Sequence, residues 1–294
     1  MLFKGAGTAL VTPFRDGEVN YDKYGELIDW QIEKGIDAII TCGTTGEGSA
    51  LSDAEHKKTI KFCVEKVNGR VPVIAGTGSN DTVYCLQLSK YAESVGVDGL
   101  MLVTPYYNKT SQRGLVNHYN YIADGVNLPI ILYNVPSRTG MKIEVNTLIE
   151  LSKHKNIVAM KDATGDISYA AEVFSRLGES DFSIYSGNDD MVVPILSLGG
   201  MGVISVVSNV MPKEMHDMVM YYLNGDIKAS RKLQLRMNNI INHLFIETNP
   251  IPVKTCMNLM GFEVGELRMP LFEMENSNKE KLINAMDEIN LIRR

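Results

Sequence analysis

The sequence predicts an α/β protein, a TIM (β/α)8 barrel with a C-terminal helical extension. Three observations carry this expectation. Eight short apolar runs, each ending in a polar or glycine-rich turn, recur between Gly7 and Val207. Segments with helical spacing separate them, and no further strand run appears from Gly225 onward. Short apolar runs bounded by turns read as strands buried on both faces, which is the pattern of a parallel sheet. Eight alternating units match a closed barrel of ~250 residues. The chain therefore divides into an expected catalytic barrel at 1–224 and a helical domain at 225–294.

The runs, in order, are Gly7–Thr12, Ala38–Cys42, Val71–Ala75, Gly99–Thr104, Pro129–Asn134, Ile157–Lys161, Phe182–Ser186 and Gly202–Val207. The first helical segment carries Tyr24, Leu27, Ile28 and Ile32 on one stripe. The second places Ile60, Cys63, Val64 and Val67 at i, i+3, i+4 and i+7, one face of a helix. Ser52 with Glu55 three residues later forms a capping-box signature at its start. Two echoes support a repeated unit. Gly35-Ile36-Asp37 and Gly96-Val97-Asp98 each put glycine after a helix, where a left-handed residue ends it. Thr12-Pro13 and Thr104-Pro105 each close a strand, because proline cannot continue a central one. An open dinucleotide-binding sheet is disfavoured. Gly5-Ala6-Gly7 precedes the first run, so the glycine fingerprint that should follow it is missing. In the tail, Leu233, Met237, Ile240, Ile241 and Leu244 mark an amphipathic helix, with two or three more expected beyond it.

Composition narrows the function classes. The 294 residues are 45% hydrophobic and 22% charged, as in a soluble protein with a large core. Lysine and arginine total 29 against 35 acidic residues, and the net charge of −6 argues against a nucleic-acid partner. No apolar run approaches the ~18 residues of a membrane span, and the opening residues do not read as a signal peptide. The four cysteines have no Cys-x-x-Cys spacing and read as reduced thiols in a cytoplasmic protein. Five scattered histidines make a zinc site unexpected.

The chemistry-bearing residues cluster at strand exits. Val158-Ala159-Met160 runs into Lys161, the carboxyl end where parallel α/β folds place their sites. Burial there disfavours the charged ammonium and exposes an amine able to attack a ketone. Alone, the lysine reads first as a surface cap on a strand, since lysines are mostly exposed. Gly43-Thr44-Thr45-Gly46-Glu47-Gly48 leaves the second run with glycines that let backbone approach an anion, or with a turn chosen for geometry. The following helix, capped at Ser52, is expected to add its dipole. Tyr133 ends the fifth run with a phenol able to relay protons, and Arg138 follows with a fork suited to a carboxylate. Tyr106-Tyr107 read as packing or interface residues, and Ser186-Gly187-Asn188-Asp189-Asp190 as a turn bringing backbone close to a ligand. Gly199-Gly200 precede the eighth run, which weakens a phosphosugar reading. Unrelated surface residues would scatter; these all fall at one mouth.

With these residues in place the sequence resembles the dihydrodipicolinate synthase family of pyruvate-dependent class I aldolases, which also includes N-acetylneuraminate lyase. The matching stretches are Gly43–Glu47, Tyr133–Thr139, Val158–Asp162 and Ser186–Asp189, with Asn249-Pro250-Ile251-Pro252-Val253-Lys254 in the tail. The resemblance spans the chain, and Arg138 with the Gly-Thr-Thr-Gly-Glu turn favours a synthase over a lyase. It implies that Lys161 forms a Schiff base with pyruvate and that Thr45 and the backbone around it hold the pyruvate carboxylate. Tyr133, Thr44 and Tyr107 would relay protons, Tyr107 being given by a neighbouring subunit. Arg138 would bind the carboxylate of L-aspartate 4-semialdehyde, and Gly187 and Ile204 would line the pocket through backbone. The product would be 4-hydroxy-tetrahydrodipicolinate, on the route to lysine and diaminopimelate. The assembly would be a homotetramer, a dimer of dimers, with no metal or organic cofactor. A sister aldolase acting on a sugar acid, and a non-catalytic barrel, are the competing readings. Some relatives are inhibited by lysine at a subunit interface. His56, Asn80 and Tyr106 match that site, but Gly48, Asp53 and Tyr84 stand where sensitive relatives carry serine, histidine and glutamate. Without a carboxylate at position 84 the lysine ammonium has no partner. Weak or no inhibition is expected, and half-inhibition by sub-millimolar lysine would refute it.

Overall fold

The computed structural model describes residues 1–292. Eight parallel strands close a barrel: β1 (Gly5–Ala9), β2 (Ala38–Thr41), β3 (Val73–Gly76), β4 (Gly99–Val103), β5 (Ile130–Asn134), β6 (Ile157–Asp162), β7 (Ser183–Ser186) and β8 (Gly202–Ser205). Each strand pairs with its sequence neighbours, and β1 closes the ring against β8 through Gly5↔Gly202 and Gly7↔Ile204. All eight runs expected from the sequence are strands. The first is shifted: β1 begins at Gly5, so Gly5-Ala6-Gly7 lies inside the strand and not before it. The glycines are there for closeness. A Cβ on Gly202 would sit 1.9 Å from the Gly5 carbonyl oxygen, and one on Gly7 would meet Ile40 at 2.6 Å.

An unanticipated hairpin, Phe14–Arg15 paired with Glu18–Val19, follows β1. Its turn is Asp16-Gly17, both with positive φ, the residue pair that a tight hairpin prefers. The helices are α1 (Tyr21–Glu33), α2 (Asp53–Val67), α3 (Thr82–Ser94), α4 (Gln112–Asp124), α5 (Val145–Leu151), α6 (Ile167–Leu177), α7 (Val192–Ser197) and α8 (Pro212–Leu223). The tail adds α9 (Ile227–Leu244), α10 (Ile251–Leu259) and α11 (Asn276–Glu288). Gly35 and Gly96 adopt positive φ just past α1 and α3, the geometry that ends a helix.

Two buried clusters result. Leu27, Ile60, Leu88 and other helix residues pack on the outer faces of the strands, and Met237, Ile240, Ile241 and Leu244 of the tail join that same cluster. The barrel interior is filled by Ala9, Ile40, Ile74, Ile131, Ala159 and Ile204. Phe3 stacks on Tyr185 with ring centroids 4.4 Å apart, and the Tyr185 hydroxyl donates to the Phe3 carbonyl at 2.7 Å. The interior is thus solid, and the carboxyl end of the barrel is left as the place for a cavity.

Candidate active site

Lys161 is the penultimate residue of β6 and is only 4% exposed. Its register partner on β5 is Tyr133, so both side chains leave the barrel at the same level. The Lys161 Nζ lies 4.3 Å from the centroid of the Tyr133 ring. An ammonium over an aromatic face is attracted by the ring quadrupole. Both residues line a cavity of ≈ 550 Å³ together with Thr45, Arg138, Gly187 and Asn249. Parallel strands point all their carboxyl ends one way, so residues far apart in sequence meet here.

The turn after β2 is tightly fastened. Cys42 and Glu47 both hold positive φ, at 56° and 52°. The Glu47 and Gly48 amides donate to the Thr44 and Gly43 carbonyls at 3.1 Å each, and Thr12 Oγ1 donates to the Gly46 carbonyl at 2.7 Å. A Cβ on Gly48 would fall 2.2 Å from the Cys42 carbonyl oxygen, so only glycine fits. Thr45 is buried, and its Oγ1 accepts from Asn249 Nδ2 at 3.0 Å. The start of α2 is set back from this turn. A single 3-10 turn intervenes at Gly48–Ala50, and α2 is closed by its own capping box between Ser52 and Glu55. The Ser52 and Glu55 amides at its start are therefore occupied by protein oxygens. Arg268 beside Glu55, with the Ser52 N–H, holds that carboxyl down at about 2.

Glu47, the last residue of the motif before Gly48, forms an internal ion pair. Its carboxylate meets Lys254 Nζ of α10 at 2.8 Å, with side chains 0% and 1% exposed. The other carboxylate oxygen accepts the Arg268 N–H at 2.9 Å. Lys254 also donates to the carbonyls of Thr12 and Glu266. Burial pulls the Lys254 ammonium below its ordinary pKa, and Glu47 opposes the shift.

Arg138 sits on the single helical turn Pro136–Thr139 that follows β5. Its Nη2 donates to the Asn249 carbonyl at 2.9 Å. Gly187 follows β7 and donates its N–H to the Asp162 carbonyl at 2.6 Å. A Cβ there would meet that of Ala163 at 2.7 Å, so β6 and β7 close to within backbone contact. Thr44 is half-buried and lines a second cavity of ≈ 350 Å³, which shares Tyr133 and Arg138 with the first. Gly48, His56, Tyr84 and Tyr106 line the same second cavity. There the Tyr84 hydroxyl donates to Asp53 at 3.2 Å, and His56 Nε2 lies 2.9 Å from the Gly76 carbonyl.

Two expected site residues lie elsewhere. Ile204 is 0% exposed and fills the barrel interior beneath the cavity, which it does not line. Tyr107 is 93% exposed with φ of 65°, outside the two cavities just described. Conversely, two residues with no assigned part emerge. Asn249 joins Thr45 to Arg138. Asp189 is buried against the cavity, and its Oδ2 accepts the Val206 and Val207 N–H groups at 3.0 and 3.2 Å. Burial raises its carboxyl pKa, with those N–H groups and nearby Lys161 pulling the other way. Nothing in the Asn188-Asp189-Asp190 string marks which aspartate turns inward. Among the described residues, no cluster of three or more His, Cys, Asp or Glu could hold a metal ion, and no helix is long and apolar enough to cross a membrane.

This arrangement has known counterparts. A model of the dihydrodipicolinate synthetase family matches residues 2–289. The 4-hydroxy-tetrahydrodipicolinate synthase of Clostridium novyi is 55% identical over 289 residues, covering 98% of this chain and 97% of that protein. The crystal structure of dihydrodipicolinate synthase from Thermotoga maritima superposes with a TM-score of 0.97 at 43% identity, covering 99% of this chain and 100% of that one. A structure described as the first monomeric dihydrodipicolinate synthase variant gives a TM-score of 0.96 at 42% identity, covering 99% and 98%. By both sequence and fold, this chain belongs to the dihydrodipicolinate synthetase family.

Proposed function

We propose that this chain is a 4-hydroxy-tetrahydrodipicolinate synthase, condensing pyruvate with L-aspartate 4-semialdehyde through a Schiff base on Lys161. The observation that carries the reading is the buried Lys161 amine over the Tyr133 ring, in a cavity whose wall also holds a threonine turn and an arginine. The Lys161 amine adds to the pyruvate ketone, and loss of water leaves an iminium. Removing a methyl proton gives an enamine, whose carbon attacks the aldehyde. The amine of the second substrate then displaces Lys161, closing the ring and freeing the enzyme. Both substrates are anionic, so two carboxylate sites are needed, Thr45 for pyruvate and Arg138 for the semialdehyde. Gly187 gives backbone close to the pyruvate, while Ile204 packs the barrel interior below the cavity. Borohydride added with pyruvate is expected to leave a reduced pyruvate adduct on the Lys161 peptide, and an unmodified peptide sinks the reading.

Proton transfers recur at several steps, and hydroxyls in a dry pocket perform them well. Tyr133 and Thr44, which share the second cavity, are assigned to this relay. Tyr133→Phe is expected to cost on the order of 10²-fold or more in kcat. A near-normal rate removes Tyr133 from the role. Arg138→Ala is expected to raise the KM for aspartate semialdehyde by on the order of 10²-fold, as loss of a charged hydrogen-bonding fork does. Pyruvate trapping should be unchanged in that variant, and equal damage to both substrates contradicts the division of labour. A sugar acid tested as alternative aldehyde partner distinguishes the sister aldolase reading.

Tyr107 completes the proposed relay only if another subunit supplies it. A ring left 93% in water on a left-handed backbone position is a costly arrangement for one chain alone. A homotetramer built as a dimer of dimers is therefore part of the proposal. The monomeric variant among the similar structures shows that the fold itself does not demand assembly. Sedimentation velocity reads the state, and a fully active monomer rules Tyr107 out.

A further inference from the structure

We infer that Asn249 is a positioning residue that couples the two carboxylate sites, its side-chain amide directing the Thr45 hydroxyl and its main-chain carbonyl seating the Arg138 guanidinium. The inference rests on the Schiff-base reading of Lys161 and extends it to the tail, whose Ile241, Asn242, Phe245 and Asn249 line the same cavity. Asn249 lies between α9 and α10 and is 5% exposed. It stands 204 positions from Thr45 and 111 from Arg138, yet it bonds both.

The direction of the first bond matters. A hydroxyl has one proton to donate and two lone pairs to accept with. Asn249 Nδ2 donates to Thr45 Oγ1, which uses one lone pair and leaves the Thr45 proton free. Thr45 lines the cavity, so that proton is available to an anion inside it. With the amide turned over, Oδ1 would claim the Thr45 proton and draw it away from the cavity. The turned amide would also put two N–H donors at the buried spot where Oδ1 now has no protein partner. A pre-aimed donor costs no reorganisation when the carboxylate arrives, which is how preorganised polar groups favour anions.

The second bond leaves no such freedom to the side chain. Arg138 Nη2 is held by the Asn249 carbonyl, which every substitution at this position retains. The position of that carbonyl is set from α10, where buried Lys254 grips Glu47 of the Thr44–Glu47 turn. The segment from Asn249 to Lys254 therefore holds the pyruvate turn at two points and the semialdehyde arginine at a third.

Because side chain and main chain serve different sites, substitutions separate them. The measurement is a titration of pyruvate read both by steady-state rate and by borohydride adduct on Lys161. Asn249→Ala is expected to raise pyruvate half-saturation on the order of 10-fold, as for a lost hydrogen bond to a charged group. The KM for aspartate semialdehyde stays within about twofold, and the Lys161 adduct still forms fully at saturation. The near-isosteric Asn249→Asp captures the Thr45 proton and adds a like charge, so its rise is larger, on the order of 10²-fold. In a Thr45→Val background, Asn249→Ala should shift pyruvate half-saturation by less than about twofold, because the group it acts through is gone. An unshifted titration in both single variants overturns the assignment. So does an undiminished Asn249→Ala effect in the Thr45→Val background, which would mean a general structural role. If the wild-type protein forms no adduct, the reaction itself has been misread and this inference falls with it. If the wild type is trapped and the variants match it, only the role of Asn249 falls.

Discussion

Replacing Lys161 with alanine is expected to abolish the borohydride-dependent pyruvate adduct and to lower kcat on the order of 10⁵-fold or more, the scale on which removal of a covalent nucleophile is felt. Other groups in the cavity can bind carboxylates or move protons, but none of the wall residues around Tyr133 offers a second amine. Lys161→Met, which keeps the chain length and apolar stem, should behave the same way. The fold should survive both changes. The amine is buried mainly against the Tyr133 ring, and contacts of that kind contribute only about 0.5–2 kcal/mol. A thermal melt close to wild type alongside an absent adduct separates lost chemistry from lost structure. Turnover at the wild-type rate, or an adduct on another lysine, ends the Schiff-base assignment.

The second large effect concerns stability. Glu47→Gln or Lys254→Met leaves one uncompensated charge in a site that excludes water almost completely. Breaking a buried pair in this way destabilises by about 3–5 kcal/mol. For a chain this long that corresponds to a fall in Tm of roughly 10 °C. The double variant should be less unstable than the sum of the singles by about 1 kcal/mol or more, since neither charge is then orphaned. Additive losses would show that the two residues act separately. Activity should fall with stability. Glu47 holds positive φ within the Thr44–Glu47 turn, and its carboxylate is what ties that turn to the tail.

Much of this site was readable because its signals are local. A run of four apolar residues ending in Lys161 needs only strand periodicity to place the amine at the mouth of a parallel barrel. Tyr133, Arg138 and Gly187 follow from the same rule. The hairpin at Asp16-Gly17 had a legible turn pair but strands of two residues, too short for an alternating pattern to stand out. The start of α2 is a different case. The capping box was visible in Ser52 and Glu55, and in the structure it occupies the amides of those two residues.

Asn249, Asp189 and Lys254 mark the limit of local reading. Each is an ordinary polar residue in sequence, and its meaning depends on partners 204, 17 and 207 positions away. Chain order and side-chain type determined the barrel, the strand that bears the amine and the kind of chemistry at its end, because periodicity and turn preference act over a few residues. Only the packed tertiary structure decided which carboxylate is buried, which amide aims the threonine hydroxyl, and that Ile204 lies beneath the cavity while Tyr107 faces solvent. Those outcomes depend on contacts between residues 17 to 207 positions apart and on excluding water from particular atoms, and no local stretch of sequence encodes either.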